Sequence, residues 1–330
     1  MLCCVFSLTS FAALLTATLQ SGDKLTPFYG ENAFVEAYNA AIDGDVITLS
    51  PGVFNTTDIA KGVTVIGAYA FTTDTSKATQ LGGTSSNTTV STNNVTIEGV
   101  RIAYRLTMKG CDNLTLNRCY IVRTDDMENG EHKYHNNTII TDCLIDECYS
   151  MDLSQNAVFR NCCINIFLDC NDKDKPALIE NCNIPVFRDE YYSRSGIQPY
   201  AIYRKCFLGL RAYQGTYTLT LSSPSEFHDN VFYSNWYYFY ISSLKYKWTI
   251  NYGSCVHAGN KLSGNSYDVS AQSDSYRNSS MSPYTVDGVS YGPLNHKSYP
   301  AVTEITSSTI DTETDADGKL HVKISATARD

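Results

Sequence analysis

The sequence predicts an all-β solenoid, a single-stranded parallel β-helix, and three observations predict it. The first is a seven-residue phrase written six times: Thr96-Ile97-Glu98-Gly99-Val100-Arg101-Ile102, Thr115-Leu116-Asn117-Arg118-Cys119-Tyr120-Ile121, Ile139-Ile140-Thr141-Asp142-Cys143-Leu144-Ile145, Val158-Phe159-Arg160-Asn161-Cys162-Cys163-Ile164, Leu178-Ile179-Glu180-Asn181-Cys182-Asn183-Ile184 and Ile202-Tyr203-Arg204-Lys205-Cys206-Phe207-Leu208. The second is the spacing. The fifth position of the phrase falls at 100, 119, 143, 162, 182 and 206, in steps of 19, 24, 19, 20 and 24 residues, and such a period with strand residues in every copy marks a stacked repeat. The third is the internal order: an aliphatic or β-branched pair, a polar residue, then the fifth position, which reads as strand, bend, strand.

At 330 residues the chain suffices for one large repetitive domain. Its 25 basic and 34 acidic residues give a formal charge of −9. With no basic cluster anywhere, nucleic acid and anionic membrane surfaces are poor partners, and a neutral or weakly charged ligand fits better. Residues 1–20 hold no charged side chain, and the apolar run 5–15 is too short to span a bilayer but suits a signal-peptide core. Residues 1–19 are therefore expected to be a signal peptide, 20–265 the coil, and 266–330 a polar segment with a C-terminal β element. No transmembrane span is expected once the leader is removed.

Within the coil the first element is a helix over about 31–42. Ala33, Phe34, Ala37, Tyr38 and Ala41 form one apolar stripe, and Gly44 stands where a helix end wants positive φ. Such a helix would cover the open first layer of a stack. Val46–Leu49 then begins the first strand, with Pro51-Gly52 as a turn. The run Ala40-Ala41-Ile42-Asp43-Gly44-Asp45-Val46-Ile47-Thr48-Leu49-Ser50-Pro51-Gly52-Val53-Phe54, followed by Gly62-Val63-Thr64-Val65-Ile66-Gly67, resembles the opening of secreted right-handed parallel β-helix proteins of the pectin-lyase-like superfamily. The resemblance covers roughly residues 30–265. It implies a right-handed coil with a capping helix, in a secreted, periplasmic or cell-surface protein of a Gram-negative-type bacterium. It selects no activity, because that superfamily mixes lyases, hydrolases and non-catalytic proteins.

Residues 72–92, rich in Thr, Ser, Gly and Asn, read as a loop inserted between rungs. In the central rungs Asp142, Asn161, Asn181 and Asp229 precede the fifth position, and Asn and Asp tolerate the left-handed conformation that a sharp bend requires. The Asn-x-Thr/Ser triplets at Asn55, Asn87, Asn94, Asn113, Asn136 and Asn278 fit the same turn-then-strand grammar and are not read as glycosylation sites. Beyond 187 tyrosine becomes frequent, and alternation should turn about half of these aromatics outward, where sugars could stack. Tyr213, Trp236, Tyr238 and Trp248 are the candidate substrate-binding residues. A polar stretch follows, and Ile305 to Ile310, the Asp317-Gly318 turn and Leu320 to Ile324 read as a terminal hairpin.

Five of the 12 cysteines, Cys119, Cys143, Cys162, Cys182 and Cys206, share one repeat position. They are read as a buried ladder of free thiols, each acting as a compact hydrophobe. Neighbours about 4.8 Å apart along a stack are nonetheless within disulfide reach on distance alone.

Charged residues just beyond each copy supply the candidate chemistry: Arg105; Arg123, Asp125 and Asp126; Asp146 and Glu147; Asp169; Arg188, Asp189 and Glu190; Arg211. Equal offsets on successive rungs should align them along one edge. A Ca²⁺-dependent β-elimination lyase could take metal ligands from Asp125, Asp126, Asp146 and Asp169 and a base from Arg188, Lys205 or Arg211. A glycoside hydrolase would need two of the carboxylates about 5 to 9.5 Å apart. The paired-Asp, Gly-His-Gly and Arg-x-Pro-x-x-Arg signatures of the hydrolase and lyase branches do not occur as sets. His132 and His135 read as solvated loop residues. The expected function is therefore an exported, monomeric, non-catalytic β-helix that binds a polysaccharide or cell-surface glycan, or builds a surface structure, and requires no cofactor. The enzyme on the Asp/Arg edge, with Ca²⁺ if a lyase, and an adhesin for a protein partner are the alternatives.

Overall fold

Each phrase folds as a unit because its alternation sends every second side chain to one side while its polar fourth residue turns the chain. The computed structural model realises this as a parallel β-helix. It describes residues 15–71, 74, 77–125, 127–128, 131–132, 135–148, 154–167, 174, 176–189, 200–211, 215–221, 224–235, 246–267, 284–286, 289–291, 303–310 and 322–328. Two twelve-stranded sheets run its length. In the first, the parallel strands run from Val46–Leu49 and Thr64–Ile66 through Thr96–Glu98, Thr115–Asn117, Ile139–Thr141, Val158–Arg160, Ala177–Glu180, Ala201–Arg204 and Glu226–His228 to Val256–Ala258. In the second, Val100–Ile102, Tyr120–Asp125, Leu144–Cys148, Cys163–Phe167, Asn183–Asp189, Phe207–Arg211, Val231–Asn235 and Lys261–Tyr267 follow Gly52–Phe54 and Thr79–Leu81.

Register turns the alternation into columns. Ile47, Val65, Ile97, Leu116, Ile140, Phe159, Ile179, Tyr203 and Phe227 stack inside the first sheet, and Ile102, Ile121, Ile145, Ile164, Ile184, Leu208 and Phe232 inside the second, all essentially buried. Each such side chain contributes about 1.5–3 kcal/mol of burial, so the coil grows one rung at a time around a continuous core.

The bend between the sheets is one residue in the left-handed conformation. Asp142, Asn161, Asn181 and Asp229 take φ of 52 to 56°, as their chemistry predicts, and Gly99 and Gly259 occupy the same place. Arg118 and Lys205 do so too, at 51 and 52°, although neither side chain favours it. A second corner, ahead of the first sheet, uses Asn94, Asn113, Asn137 and Asn156. Here each amide donates to the one below: Asn113 to Asn94 at 2.9 Å, Asn137 to Asn113 at 3.1 Å, Asn156 to Asn137 at 3.2 Å. Asn94 and Asn113 of the Asn-x-Thr triplets are thus corner residues; in the triplet that begins at Asn136, Asn137 takes the bend instead.

All nine described cysteines are free thiols, and the ladder cysteines are fully buried. Their role exceeds that of compact hydrophobes. The Cys119 N–H donates to Cys143 Sγ at 3.3 Å, and the Cys143 thiol donates to the Leu116 carbonyl at 3.6 Å and the Thr141 carbonyl at 3.1 Å. From Cys119 to Cys206 every ladder thiol donates to the carbonyl of the inner-column residue one rung below, namely Ile97, Leu116, Ile140, Phe159 and Ile179. Asn230 and Asn260 continue the ladder with the same bonds, donating to the Tyr203 and Phe227 carbonyls, while Asn230 Oδ1 accepts the Cys206 N–H at 2.8 Å. Burial raises Cys143 and Cys182 well above the usual thiol range and pushes Cys206 up to about 12. At Cys119 and Cys162 burial is again the largest influence, but hydrogen bonds from neighbouring thiols outweigh it and draw these two down.

At the N-terminal end the helix spans Ala33–Ala40, with Ala33, Phe34, Ala37 and Tyr38 buried as the stripe predicts. Gly44 has φ of 88° but lies in the turn after the helix. The helix end is held instead by Lys61, whose Nζ donates to the carbonyls of Tyr38, Asn39 and Ala41 at 2.7 to 3.0 Å. Thr16–Ser21 pairs antiparallel with both Val46–Leu49 and Lys24–Tyr29, with Ala17 and Leu19 in the core. Ordered coil therefore begins within the stretch 1–19 assigned to the leader, whose residues 1–14 lie outside the described set.

The stretch 72–92 departs from its reading as a loop. It holds Thr79–Leu81, a rung of the second sheet, and Asn87–Val90, paired with Arg105–Met108. Its polarity misleads because Thr79 is buried with its hydroxyl donating to the Ser50 carbonyl and accepting the Ala68 N–H. At the C-terminus Thr303–Ile310 pairs with Val322–Ala328 as the predicted hairpin. A second hairpin, Tyr284–Val286 with Val289–Tyr291, lies within the stretch read only as polar. Among the described residues no helix is long and apolar enough to cross a membrane.

The ladder is testable. Cys143→Val deprives the buried Cys119 N–H of its acceptor and should cost about 1–3 kcal/mol. Cys143→Asn, which copies Asn230, should retain stability within about 1 kcal/mol, as read by urea unfolding; equal losses in both variants would show that volume alone matters.

Candidate functional site

The Asp/Arg edge is built by the ends of the second-sheet strands. Asp125, the last residue of Tyr120–Asp125, lies in register with Thr107. Its carboxylate is bracketed by the Arg105 guanidinium at 3.3 Å and the Arg123 guanidinium at 3.5 Å, with only 6% of the side chain exposed. Asp146 lies one residue past Ile145, which pairs with Ile121. It accepts a 2.6 Å hydrogen bond from the Tyr120 hydroxyl in a buried setting, and Arg101 covers the ring of that tyrosine at 4.5 Å. The two acids are therefore offset by three residue positions along the strand direction, about 10 Å, and each is engaged by a different basic or phenolic partner.

The equal offsets expected on the later rungs do not hold. Ile184 pairs with Leu208, but Arg188 pairs with Leu210, so Arg211 falls opposite Asp189, where equal counting from Ile184 would set it opposite Phe187. The cause is local. Pro185 has no N–H for the ladder and the strand bulges behind it; Gly209 passes so close that a Cβ there would meet the Pro185 carbonyl oxygen at 2.0 Å. Lys205, the remaining candidate base, is an exposed corner residue. Asp126 and Asp169 lie outside the described residues, and among those described no group of three His, Cys, Asp or Glu side chains gathers to hold a metal ion.

The outward side of the second sheet is largely buried. Tyr120, Leu144 and Cys163 form a small cluster with Ala70, against which Phe71 and Val122 pack. Phe207 and Tyr233 stack at 4.0 Å on later rungs. The first sheet instead shows its outer side to solvent, where Arg160 Nε donates to Glu180 at 2.9 Å, Arg118 pairs with Glu98, and His228 meets Glu226 at 3.0 Å.

The aromatic rungs divide. Tyr203 is fully buried and stacks on Phe227 at 4.9 Å, with Phe187 edge-on at 5.3 Å, so these rings are core. Between the long rungs Gly215–Thr220 and Tyr246–Asn251 form a separate parallel pair with Tyr217 opposite Trp248. Leu219 is buried, whereas Thr218, Thr220, Thr249 and Asn251 are exposed. Tyr213, Trp236 and Tyr238 lie outside the described residues.

His135 departs from its reading as a solvated residue. It is fully buried, in register with Ser154, with Nδ1 3.0 Å from the Thr138 hydroxyl and Nε2 without a partner among the described residues. The signal available in the sequence was its position two residues ahead of the corner at Asn137. No family model, curated protein or solved structure matches the chain.

Burial pushes His135 down to about 4 from an ordinary 6.5, against an opposing pull from Asp112. A histidine depressed in the folded state is protonated more readily when unfolded, so stability is intact above pH 6.5 and falls as pH drops from there towards 4. The loss should reach about 3 kcal/mol at the acid end. His135→Gln should flatten that part of the stability–pH curve relative to the unmodified protein; parallel curves would show that His135 does not titrate with unfolding.

Proposed function

We propose that this chain is an exported, non-catalytic β-helix protein that binds an extended carbohydrate at its long, aromatic-rich rungs. The observation that carries the reading is the parallel register of Gly215–Thr220 with Tyr246–Asn251. In the sequence the four aromatic candidates lie within or near the strands of that pair. Tyr213 stands two residues ahead of its first strand, Trp236 and Tyr238 in the segment entering its second, and Trp248 within the second. The exposed Thr218, Thr220, Thr249 and Asn251 offer hydroxyl and amide groups on adjacent rungs, about 4.8 Å apart and close to one sugar unit. Rings that stack on sugar C–H faces beside groups that bond hydroxyls suit a neutral or weakly charged glycan, in keeping with the acidic chain. The resemblance to the pectin-lyase-like superfamily and the apolar leader support export.

The enzymatic alternative requires free acids on the Asp/Arg edge. The ion pairs at Asp125 and the hydrogen bond at Asp146 favour structural duties for these two. Binding to a polysaccharide panel should weaken about tenfold on Trp248→Ala or Trp236→Ala, for a stacking contribution of about 1–1.5 kcal/mol, and persist in Asp125→Asn. Failure to bind any member would overturn the proposal. Absorbance from an unsaturated product, on incubation with polyuronates and Ca²⁺, would establish the lyase instead.

A further inference from the structure

In each short strand of the first sheet the middle residue enters the core and the two beside it face outward. Register sets the leading outward residues in one row, with Ile139, Val158, Leu178 and Ile202 on four successive rungs. None of the four is buried, and Ile139 is 41% exposed. Thr115 precedes them in the row and Glu226 follows, so the aliphatic stretch occupies the middle of the coil. Single exposed apolar side chains are ordinary, but a contiguous row of them marks an interaction surface.

The charges that border this row say what covers it. Between Gly99 and Gly259 six successive bends edge the sheet, Arg118, Asp142, Asn161, Asn181, Lys205 and Asp229, one to a rung. Their signs run positive, negative, neutral, neutral, positive, negative, and read from the other end every sign is reversed. Such an order is complementary to itself under a two-fold rotation. An axis along the strand direction, passing between the rungs of Val158 and Leu178, lays the aliphatic row on the same row of a second copy. It sets Arg118 opposite Asp229, Asp142 opposite Lys205 and Asn161 opposite Asn181. The row between the aliphatic residues and the bends obeys the same axis, with Arg160 opposite Glu180 and Thr141 opposite Arg204. Sliding one copy by a single rung destroys the match: in one direction Asp142 meets Asp229, and in the other Arg118 meets Lys205. A two-fold along the coil axis fails as well, because it lays the aliphatic row on the charged one.

We propose that two copies of the chain associate through this face, as antiparallel coils related by the axis between Val158 and Leu178. Both faces repeat at about 4.8 Å, so each rung meets a rung, and stacked sheets lie about 10 Å apart, a distance that outward side chains fill. The bends from Gly99 to Gly259 extend over about 34 Å, and the sheet from the Asn94 corner to the Gly99 bend is about 16 Å wide. The face is then on the order of 500 Å² per partner, the size of a reversible rather than a permanent association. A dimer departs from the monomer expected of the sequence. It is independent of the carbohydrate reading, since Gly215–Thr220 and Tyr246–Asn251 form a separate sheet.

Sedimentation of the full chain over a concentration series tests the pair. The unmodified protein should dimerise reversibly, and a chain that stays monomeric throughout would overturn the proposal. Lys205→Glu sets like charges against Asp142 at two symmetric contacts and should weaken association about tenfold or more; Asp142→Lys should do the same against Lys205. Mixed together, the two variants bring opposite charges to both contacts, and dimers with one chain of each should recover the unmodified affinity. Unchanged association in Lys205→Glu, or no recovery on mixing two folded variants, would overturn the dimer. Asp142 also accepts a 3.1 Å hydrogen bond from Asn161 within its own chain, so Leu178→Glu, on the outward row, tests the face without touching a corner. It should abolish the dimer with the circular dichroism unchanged, and a dimer that survives it would equally overturn the proposal.

Discussion

The coil depends on how it turns a corner without stranding backbone polar groups in its core. A one-residue left-handed bend between the sheets takes the chain out of ladder pairing just where it is most buried, and an unpaired buried amide there costs as much as a lost hydrogen bond. The residue after the bend repairs this with its own side chain, accepting an N–H from one neighbouring rung and donating to a carbonyl. The thiols of Cys143 and Cys182 and the amides of Asn230 and Asn260 do both, and every ladder thiol from Cys119 to Cys206 donates to a carbonyl. What looks like a cysteine repeat is thus a repeat of one hydrogen-bonding duty that two residue types fulfil.

A corner fixed this tightly confines variation elsewhere. The ladder positions 100, 119, 143, 162, 182, 206, 230 and 260 are separated by 19 to 30 residues, yet the stretch from the first-sheet strand through the bend into the second keeps its length. Most of the extra residues fall between the end of a second-sheet strand and the next first-sheet strand, and the rest form bulges in the second-sheet strands Asn183–Asp189 and Lys261–Tyr267. One of the 24-residue steps places its surplus in the small hairpin of Met127–Glu128 and Glu131–His132. The longest steps include the pair Gly215–Thr220 and Tyr246–Asn251. Side chains free to differ from rung to rung therefore collect on one flank.

Much of the fold was legible because it rests on local, repeated chemistry. Alternation located the inner columns, and Asp142, Asn161, Asn181 and Asp229 announced the bends. Arg118 and Lys205 were not legible as bends, since register, not residue preference, forces them into that conformation. Thr79 hid a strand because threonine reads as loop by composition but satisfies its hydroxyl on the Ser50 carbonyl when buried. The candidate edge was less legible. Offsets counted along the chain assume equal strands, and the bulge after Pro185 breaks that equality. His135 went unrecognised for a related reason, because burial at a corner depends on the rungs above and below.

The same geometry weighs on where chemistry can reside. An acid that serves as metal ligand or nucleophile must keep a lone pair for its substrate, and close pairing or a short hydrogen bond removes that freedom. Asp125 answers two guanidinium groups and Asp146 a phenol; in the flank of the coil the ion pairs and the hydrogen bond offset the cost of burying these carboxylates. Removing either acid would take one contact from these partners, so its effect would be felt first in the packing of the second sheet's outer side. The strand pair on the long rungs instead turns Thr218, Thr220 and Thr249 to solvent. Recognition is accordingly easier to accommodate on the long rungs than on the edge, where the charges already stabilise one another.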